Sequence, residues 1–337
     1  MAVTKKQPNR FQGTTGAHFL LSLLTVTGAL FTGCRSVPTE KITLAGGSLG
    51  GGWSAISEGV ANTLRREMPG TSITHEIGLD GANAALVDSG RVQLGMLHSA
   101  AGRLGLAGQA PYDRKLENIR AIARVYSDSA FHFLVHTRTG LTSIEEIKAK
   151  KYPLRLSVIY RGSLMEIANK TTLEAYGITY EDIESWGGKV YFRALAPSLE
   201  LMQDGRLDAM GVSVQFPETN INEASILQDF RLLPISEEAI AYVNEKLGTY
   251  RSVIPAGAYR FAKQDTPTFS DVCVLIAYAG MEDQRAYDIA RALFRNLDYL
   301  HTVHRALAQL TPADLPHVNQ LPLHAGAARF YREAGVL

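Results

Sequence analysis

Two short stretches of this chain carry residue types suited to holding a charged ligand. Gly46-Gly47-Ser48-Leu49-Gly50-Gly51-Gly52-Trp53 sets five glycines between a strand-like Ile42–Ala45 and a helix-like run from Trp53 to Glu67. Free N–H groups at a helix start attract anions, and glycine lets a ligand approach the main chain closely. No Gly-Lys-Ser/Thr follows, so it is not a nucleoside-triphosphate loop, and its adjoining glycines fit dinucleotide spacing only loosely. Taken alone, a tight structural turn reads equally well. The second stretch is Tyr160-Arg161-Gly162-Ser163-Leu164-Met165-Glu166. Ser163 and Glu166 fit the capping box S-x-x-E, which starts a helix ending near Tyr176-Gly177. Arg161 beside that start suits a carboxylate, because a guanidinium forks onto two oxygens. A plain cap with a solvated arginine is the competing reading. Facing each other across a cleft, the two loops would form an anion site, with Trp53, Tyr126, Trp186 and Phe216 as its aromatic wall.

Other chemistry has less support. His301 and His304 sit three apart on a helix and His132 and His136 four apart in a strand, without an acidic third ligand at a recognisable spacing, so no metal site is expected. There is no G-x-S-x-G, HExxH or Cys–His pairing, and no catalytic residue or cofactor is assigned. The formal net charge is +1, from 34 basic and 33 acidic residues, which gives no basic face for nucleic acid. The two cysteines, Cys34 and Cys273, do not make a disulfide framework, and Cys273 lies in an apolar strand pattern as a core residue.

The elements that position these loops follow from periodicity. With 337 residues, 46% of them hydrophobic, the chain can bury a core in each of two lobes. Ile56, Val60 and Leu64 recur every four residues on the first helix, and Met68-Pro69-Gly70 ends it. Residues 72–77 alternate as a strand, a helix covers about 81–88, and 92–97 is a third strand. This βαβαβ order implies a mixed, mostly parallel α/β sheet flanked by helices. Leu86–Met96 and Leu201–Met210 share a helix, glycine turn, strand pattern, with Gly90 and Gly205 in the left-handed conformation. Residues 131–136 and 272–279 read as strands crossing between lobes. The expected division is 41–136 with 258–337 for lobe one and 137–257 for lobe two. Residues 282–310 read as helical.

The N-terminus reads as an address. Lys5, Lys6 and Arg10 precede an apolar stretch from Phe19 to Leu30, then Gly33-Cys34. Residues 1–33 form a signal peptide in this reading, Cys34 is lipidated after cleavage, and 34–40 tether the protein to a membrane. That places the chain outside the cytoplasm.

From residue 41 to about 336 the chain resembles the TAXI-type receptors of TRAP transporters, periplasmic solute-binding proteins of the type II fold. The resemblance rests on the Gly46–Trp53 loop, Gly81-Ala82-Asn83, Ile119–Tyr126, Gly162-Ser163, Asp204–Ala209, Ile254–Tyr259 and the ending Leu321–Gly335. It implies a ligand cleft between lobes, a small anionic carboxylate solute and TRAP permease subunits as partners. Its ligand contacts would fall on Gly47, Ser48, Gly51, Trp53, Asn83, His98, Ser99, Tyr126, Arg161, Gly162, Ser163, Gln215 and Phe216. The chain departs from the family at Trp53 and Ser54, where it has Gly-x-Tyr-Tyr, at His98, where it has Gln, and at Arg161–Met165. A lipid-anchored sensor or adaptor for a signalling or envelope partner, and an enzyme on the same fold, are the competing readings.

Overall fold

The computed structural model describes residues 40–47 and 52–337. The leader, Cys34 and the tether to Thr39, and the candidate contacts Ser48 and Gly51, lie outside the described residues. The chain opens with β1 (Glu40–Ala45), α1 (Gly52–Glu67), β2 (Thr71–Glu76), α2 (Asp80–Asp88), β3 (Leu94–His98) and α3 (Ser99–Ala107). A long strand, β4 (Ile119–His136), follows. Next come α4 (Glu145–Ala149), β5 (Arg155–Ser157), α5 (Leu164–Ala175), α6 (Tyr180–Ser185), β6 (Lys189–Tyr191), α7 (Leu195–Gln203) and β7 (Ala209–Val214). Then α8 (Thr219–Leu227), β8 (Phe230–Leu232), α9 (Glu237–Leu247) and β9 (Tyr250–Ile254) lead to the second long strand, β10 (Thr266–Tyr278). The chain closes with α10 (Asp283–Arg295), α11 (Leu297–Val303) and α12 (Ala325–Glu333).

One sheet runs in the order β2-β1-β3-β10-β4-β7-β5-β6, with β8 beside β4 and β9 beside β10. Its outer parts are parallel: β1 with β2 and β3, and β5 with β6 and β7. Its centre is antiparallel, where β10 meets β3, β4 and β9 and where β4 meets β7 and β8. Each long strand serves both halves. Residues 273–277 of β10 pair with β3, while 266–270 pair with β9.

Strand alternation builds the core on both faces. Cys273 and Leu275 pack with Leu44, Met96, Ile122 and the buried stripe Ile56, Val60 and Leu64 of α1, while Val272, Val274 and Ile276 pack with Val87, Leu97 and Ala121 on the other face. The same alternation in β4 sends Phe131, Phe133 and Val135 against Leu156 and Leu173, and Ala130 and Leu134 against Met202 and Met210. Each fully buried Leu or Ile contributes about 1.5–3 kcal/mol. Tyr259 and Ala262 pack with the Met202 group and Phe269 with the Phe131 group, so residues 259–269 share a core with the second half.

Local signals resolve as their chemistry dictates. Ser163 caps α5 by accepting the Glu166 N–H at 3.2 Å, and Gly177, just beyond the helix, has φ 65°. The two repeated turns also match in hydrogen bonding. Gly90 donates to Val87 and Arg91 to Leu86, as Gly205 donates to Met202 and Arg206 to Leu201, with φ of 71° and 69° at the two glycines. The expected helical run 282–310 is broken at Asn296 and at His304, giving α10, α11 and a short turn at Arg305–Leu307.

Candidate functional site

Several buried polar side chains gather where the two long strands, side by side, pass from one half to the other. Pairing between β4 and β10 shifts register between Asp271 and Cys273, and Asp128 of β4 has a left-handed φ of 62°. Irregularities of this kind re-aim side chains. They bring together Ser129 of β4, Asp271 of β10 and His98, the last residue of β3; all three are buried.

His98 is held on every side. Asp80 accepts its backbone N–H at 2.8 Å through Oδ1, and Asp80 Oδ2 lies 2.9 Å from its ring Nδ1. Its Nε2 lies 3.1 Å from Ser129 Oγ and 3.4 Å from the Tyr126 hydroxyl. The Trp53 indole stacks on the imidazole at 5.2 Å and 17° and donates its N–H to Cys273 Sγ at 3.1 Å. Burial opposes the charged form of His98, yet Asp80, by charge and hydrogen bond, and Asp271, by charge, leave its pKa raised.

Asp271 is also fully engaged. The Ser99 hydroxyl donates to Oδ1, as does the Val272 N–H at 2.7 Å, and the Ala100 N–H donates to Oδ2 at 2.9 Å. Burial raises its pKa despite the opposing charge of His98 and these donors. Asn319 ties this cluster outward, donating to Ser99 Oγ at 2.7 Å and to the Gly248 carbonyl at 2.8 Å. Opposite His98, Ser129 and Asp271 stand Leu164, Met165 and Ala168 of α5, which leave a cavity of ≈ 20 Å³, room for about one water.

A second meeting point is the start of α1. A Cβ on Gly52 would lie 3.0 Å from His304 Nε2 and 3.5 Å from Gln215 Nε2, which is why glycine stands there. His304 Nδ1 accepts the Ala306 N–H at 3.1 Å, which leaves the proton of the neutral ring on Nε2. Burial, then the charge of Arg305, lowers the His304 pKa, favouring that neutral form. Arg305 donates to Thr219 Oγ1 at 3.1 Å, so the chain after α11 touches the start of α8.

The second sequence loop is arranged differently. The Arg161 guanidinium lies 3.8 Å over the Phe192 ring and is exposed, and the Gly162 N–H donates to Glu166 Oε2 at 3.1 Å. The Glu166 carboxylate therefore occupies this helix start, where a ligand carboxylate was expected beside Arg161. Ser163 Oγ is engaged as the cap.

The remaining expected contacts divide. Trp53, His98, Ser99 and Tyr126 come together at the crossing, and Gln215 faces Gly52. Asn83 is buried in a backbone role, donating to the Gly46 and Met96 carbonyls at 2.9 Å each. The Gly47 carbonyl accepts the Gly78 N–H. Phe216 packs on the Met202 group, and Trp186 packs on the Ile183 group, apart from Trp53. Sequence reasoning missed Asp80, Ser129, Asp271, His304 and Asn319. Asp271 had a signal: it is the one charged residue in its strand, and buried acids are rare without partners. Among the described residues no helix is long and apolar enough to cross a membrane, and no three His, Cys, Asp or Glu are grouped to hold a metal ion.

Comparison with known proteins follows this geometry. The pattern defining the NMT1-like family matches residues 44–335. MatC from Rhodopseudomonas palustris, solved with bound malate, superposes with a TM-score of 0.55 at 13% identity, over 88% of this chain and 99% of that one. PhnD1 from Prochlorococcus marinus, in complex with methylphosphonate, gives 0.53 at 14% identity, over 88% and 99%. At such identities the likeness concerns the fold, which is that of the type II periplasmic binding proteins.

Proposed function

We propose that this chain, which belongs to the NMT1-like family, is an extracytoplasmic receptor that captures a small anionic solute in the cleft at the β4/β10 crossing. One observation carries the reading: a cavity bounded by His98, Ser129 and Asp271 on one side and by the apolar face of α5 on the other. Such a cleft between two packed halves is where a hinged receptor closes on its ligand. The sequence division, 41–136 with 258–337 for lobe one and 137–257 for lobe two, shifts in this reading to passages near Ser129 and Asp271, supported by the core that residues 130–135 and 259–269 share with the second half.

The start of α1 favours an anion. Neutral donors His304 Nε2 and Gln215 Nε2 approach Gly52 from opposite halves, where the helix dipole adds partial positive charge. A carboxylate fits this set. Delivery to a TRAP-type permease follows from the sequence resemblance, and a lipid anchor at Cys34 from the basic start, the apolar stretch and Gly33-Cys34.

Native mass spectrometry of protein taken from the membrane fraction tests these points together. The expected result is a chain beginning at acylated Cys34 with a co-purified carboxylate. Malate, glutamate and 2-oxoglutarate are then screened by thermal shift; at 100 times its Kd a ligand stabilises by about 2.7 kcal/mol. A protein that arrives empty and is stabilised by none of the three is not a carboxylate receptor. An unmodified Cys34 rules out the anchor.

A further inference from the structure

A second polar network lies one turn further along α1, on its side facing β2. Ser57 Oγ is 2.8 Å from His75 Nε2, and His75 Nδ1 is 2.8 Å from Glu58 Oε2. A carboxylate only accepts, so Nδ1 carries the proton there. The other oxygen of Glu58 accepts from Arg65 Nη1 at 2.6 Å, and Arg65 Nε donates to the Ile73 carbonyl at 3.0 Å. Side chains thus tie α1 to β2 along its length. Ser57 and His75 also pack on the glycine loop. A Cβ on Gly46 would collide with His75 Nε2 and Ser57 Oγ, so only glycine fits where the chain leaves β1. Ser57 Oγ lies 3.0 Å from the carbonyls of Trp53 and Ser54, in the turn before it.

Serine, histidine and acid in this order are the parts of an activated nucleophile. Gly46 closes that use. It is packed against both reactive atoms of a fully buried serine, so a substrate carbonyl has no approach. What the network does is fix a position. Trp53, whose carbonyl Ser57 holds, stacks on His98 and donates to Cys273, and Gly52 beside it faces His304 and Gln215. The first turn of α1 is therefore set by side chains that make none of these contacts themselves.

We propose that His75 is a positioning residue of the capture site: held by Glu58, it seats Ser57 and Gly46 and so sets where the first turn of α1 presents Gly52 and Trp53. The inference rests on reading the start of α1 as the anion's place, and adds the group that holds that place in position. Preorganised contacts gain affinity because their ordering is complete before the ligand arrives. With His75 gone, the first turn would have to be ordered at each binding event.

Separate readouts follow position and binding. In a Trp186→Phe background, Trp53 emission and hydrogen exchange at residues 56–59 report the start of α1 without ligand, while malate, glutamate and 2-oxoglutarate are titrated by calorimetry. His75→Ala and Ser57→Ala should each red-shift the emission and speed exchange at 56–59 about tenfold. Each should also weaken the carboxylate that the parent binds by about tenfold. His75→Gln, which keeps a polar group near Ser57 Oγ, should recover part of every change. Ser57→Ala is the sharper variant, because alanine favours the helix. A serine with only a structural part would leave emission, exchange and affinity unchanged or tighten them. Unchanged emission and exchange in both variants, or unchanged affinity despite a displaced Trp53, overturns the inference. A parent that binds none of these carboxylates removes the capture reading, while emission and exchange still decide whether His75 sets the turn.

Discussion

Two buried histidines on neighbouring parts of the sheet have opposite chemistry. His98 sits between Asp80 and Asp271, and its pKa is raised. His132 lies on β4 inside the second half, with no acid beside its ring. Its Nδ1–H donates to the Ala130 carbonyl at 2.8 Å, and its Nε2 accepts from the Tyr259 hydroxyl at 2.9 Å, which in turn accepts the Glu218 N–H at 2.8 Å. Burial lowers the His132 pKa to about 4, offset only in part by its backbone partner. Depth is the same for both; the charge of the neighbours decides which ring can take a proton near neutrality. The crossing keeps a titratable group, and the interior of the second half holds a fixed neutral one.

Breaking the acidic side of this contrast should have the largest effect. Asp271→Ala strands the Ser99 hydroxyl and the Ala100 and Val272 N–H groups in a buried place, and should lower stability by about 3–5 kcal/mol in urea unfolding. Asp271→Asn should recover part of that. A loss below about 1 kcal/mol would mean that these donors find water and that the crossing is not dry.

The neutral side is sharpened by acid. Between about pH 6.5 and 4 the unfolded chain binds a proton that folded His132 refuses, so stability is full above 6.5 and falls as pH drops. At about pH 4.5 the wild type should lose roughly 2–3 kcal/mol more than His132→Gln, relative to each at neutrality. Equal acid sensitivity would show that His132 is not held neutral.

The smallest effect is expected at the rim of the second half. Arg161 is exposed and stacked on Phe192, with Glu166 close by at the same helix start. Arg161→Ala should change solute affinity by less than tenfold, about 1.4 kcal/mol, and act mainly on the association rate and its salt dependence, as rim charges do. A loss of a hundredfold or more in calorimetry would restore the clamp that the sequence suggests.

What was legible in the sequence was local. Ser163 with Glu166, Gly90, Gly205 and the Ile56–Val60–Leu64 stripe each announce their structure within a few residues, because capping and helical spacing act at short range. The stretch Tyr160–Glu166 was legible as a turn into a capped helix, but not in its state. Glu166 was read as a cap without the consequence that its carboxylate fills the anion position. The crossing was hidden because it is long-range. Ser99 and Asp271 are 172 positions apart, and Asn319 reaches Ser99 across 220. Nothing local to Asp80 tells a helix-dipole acid from the partner of a buried histidine.

The position of β10 between β3 and β4 also orders events in time. A chain made from its N-terminus has both flanking strands long before Thr266–Tyr278 exists. Until then β3 and β4 present open, apolar edges to each other across an empty lane, the kind of edge that pairs wrongly with other chains. Closing the lane means bringing Cys273 to His98 over a very long loop, a slow step by topology. The second half, in between, can gather most of its core meanwhile. The first half must wait for the last strand of the sheet to be synthesised before its own sheet has a middle.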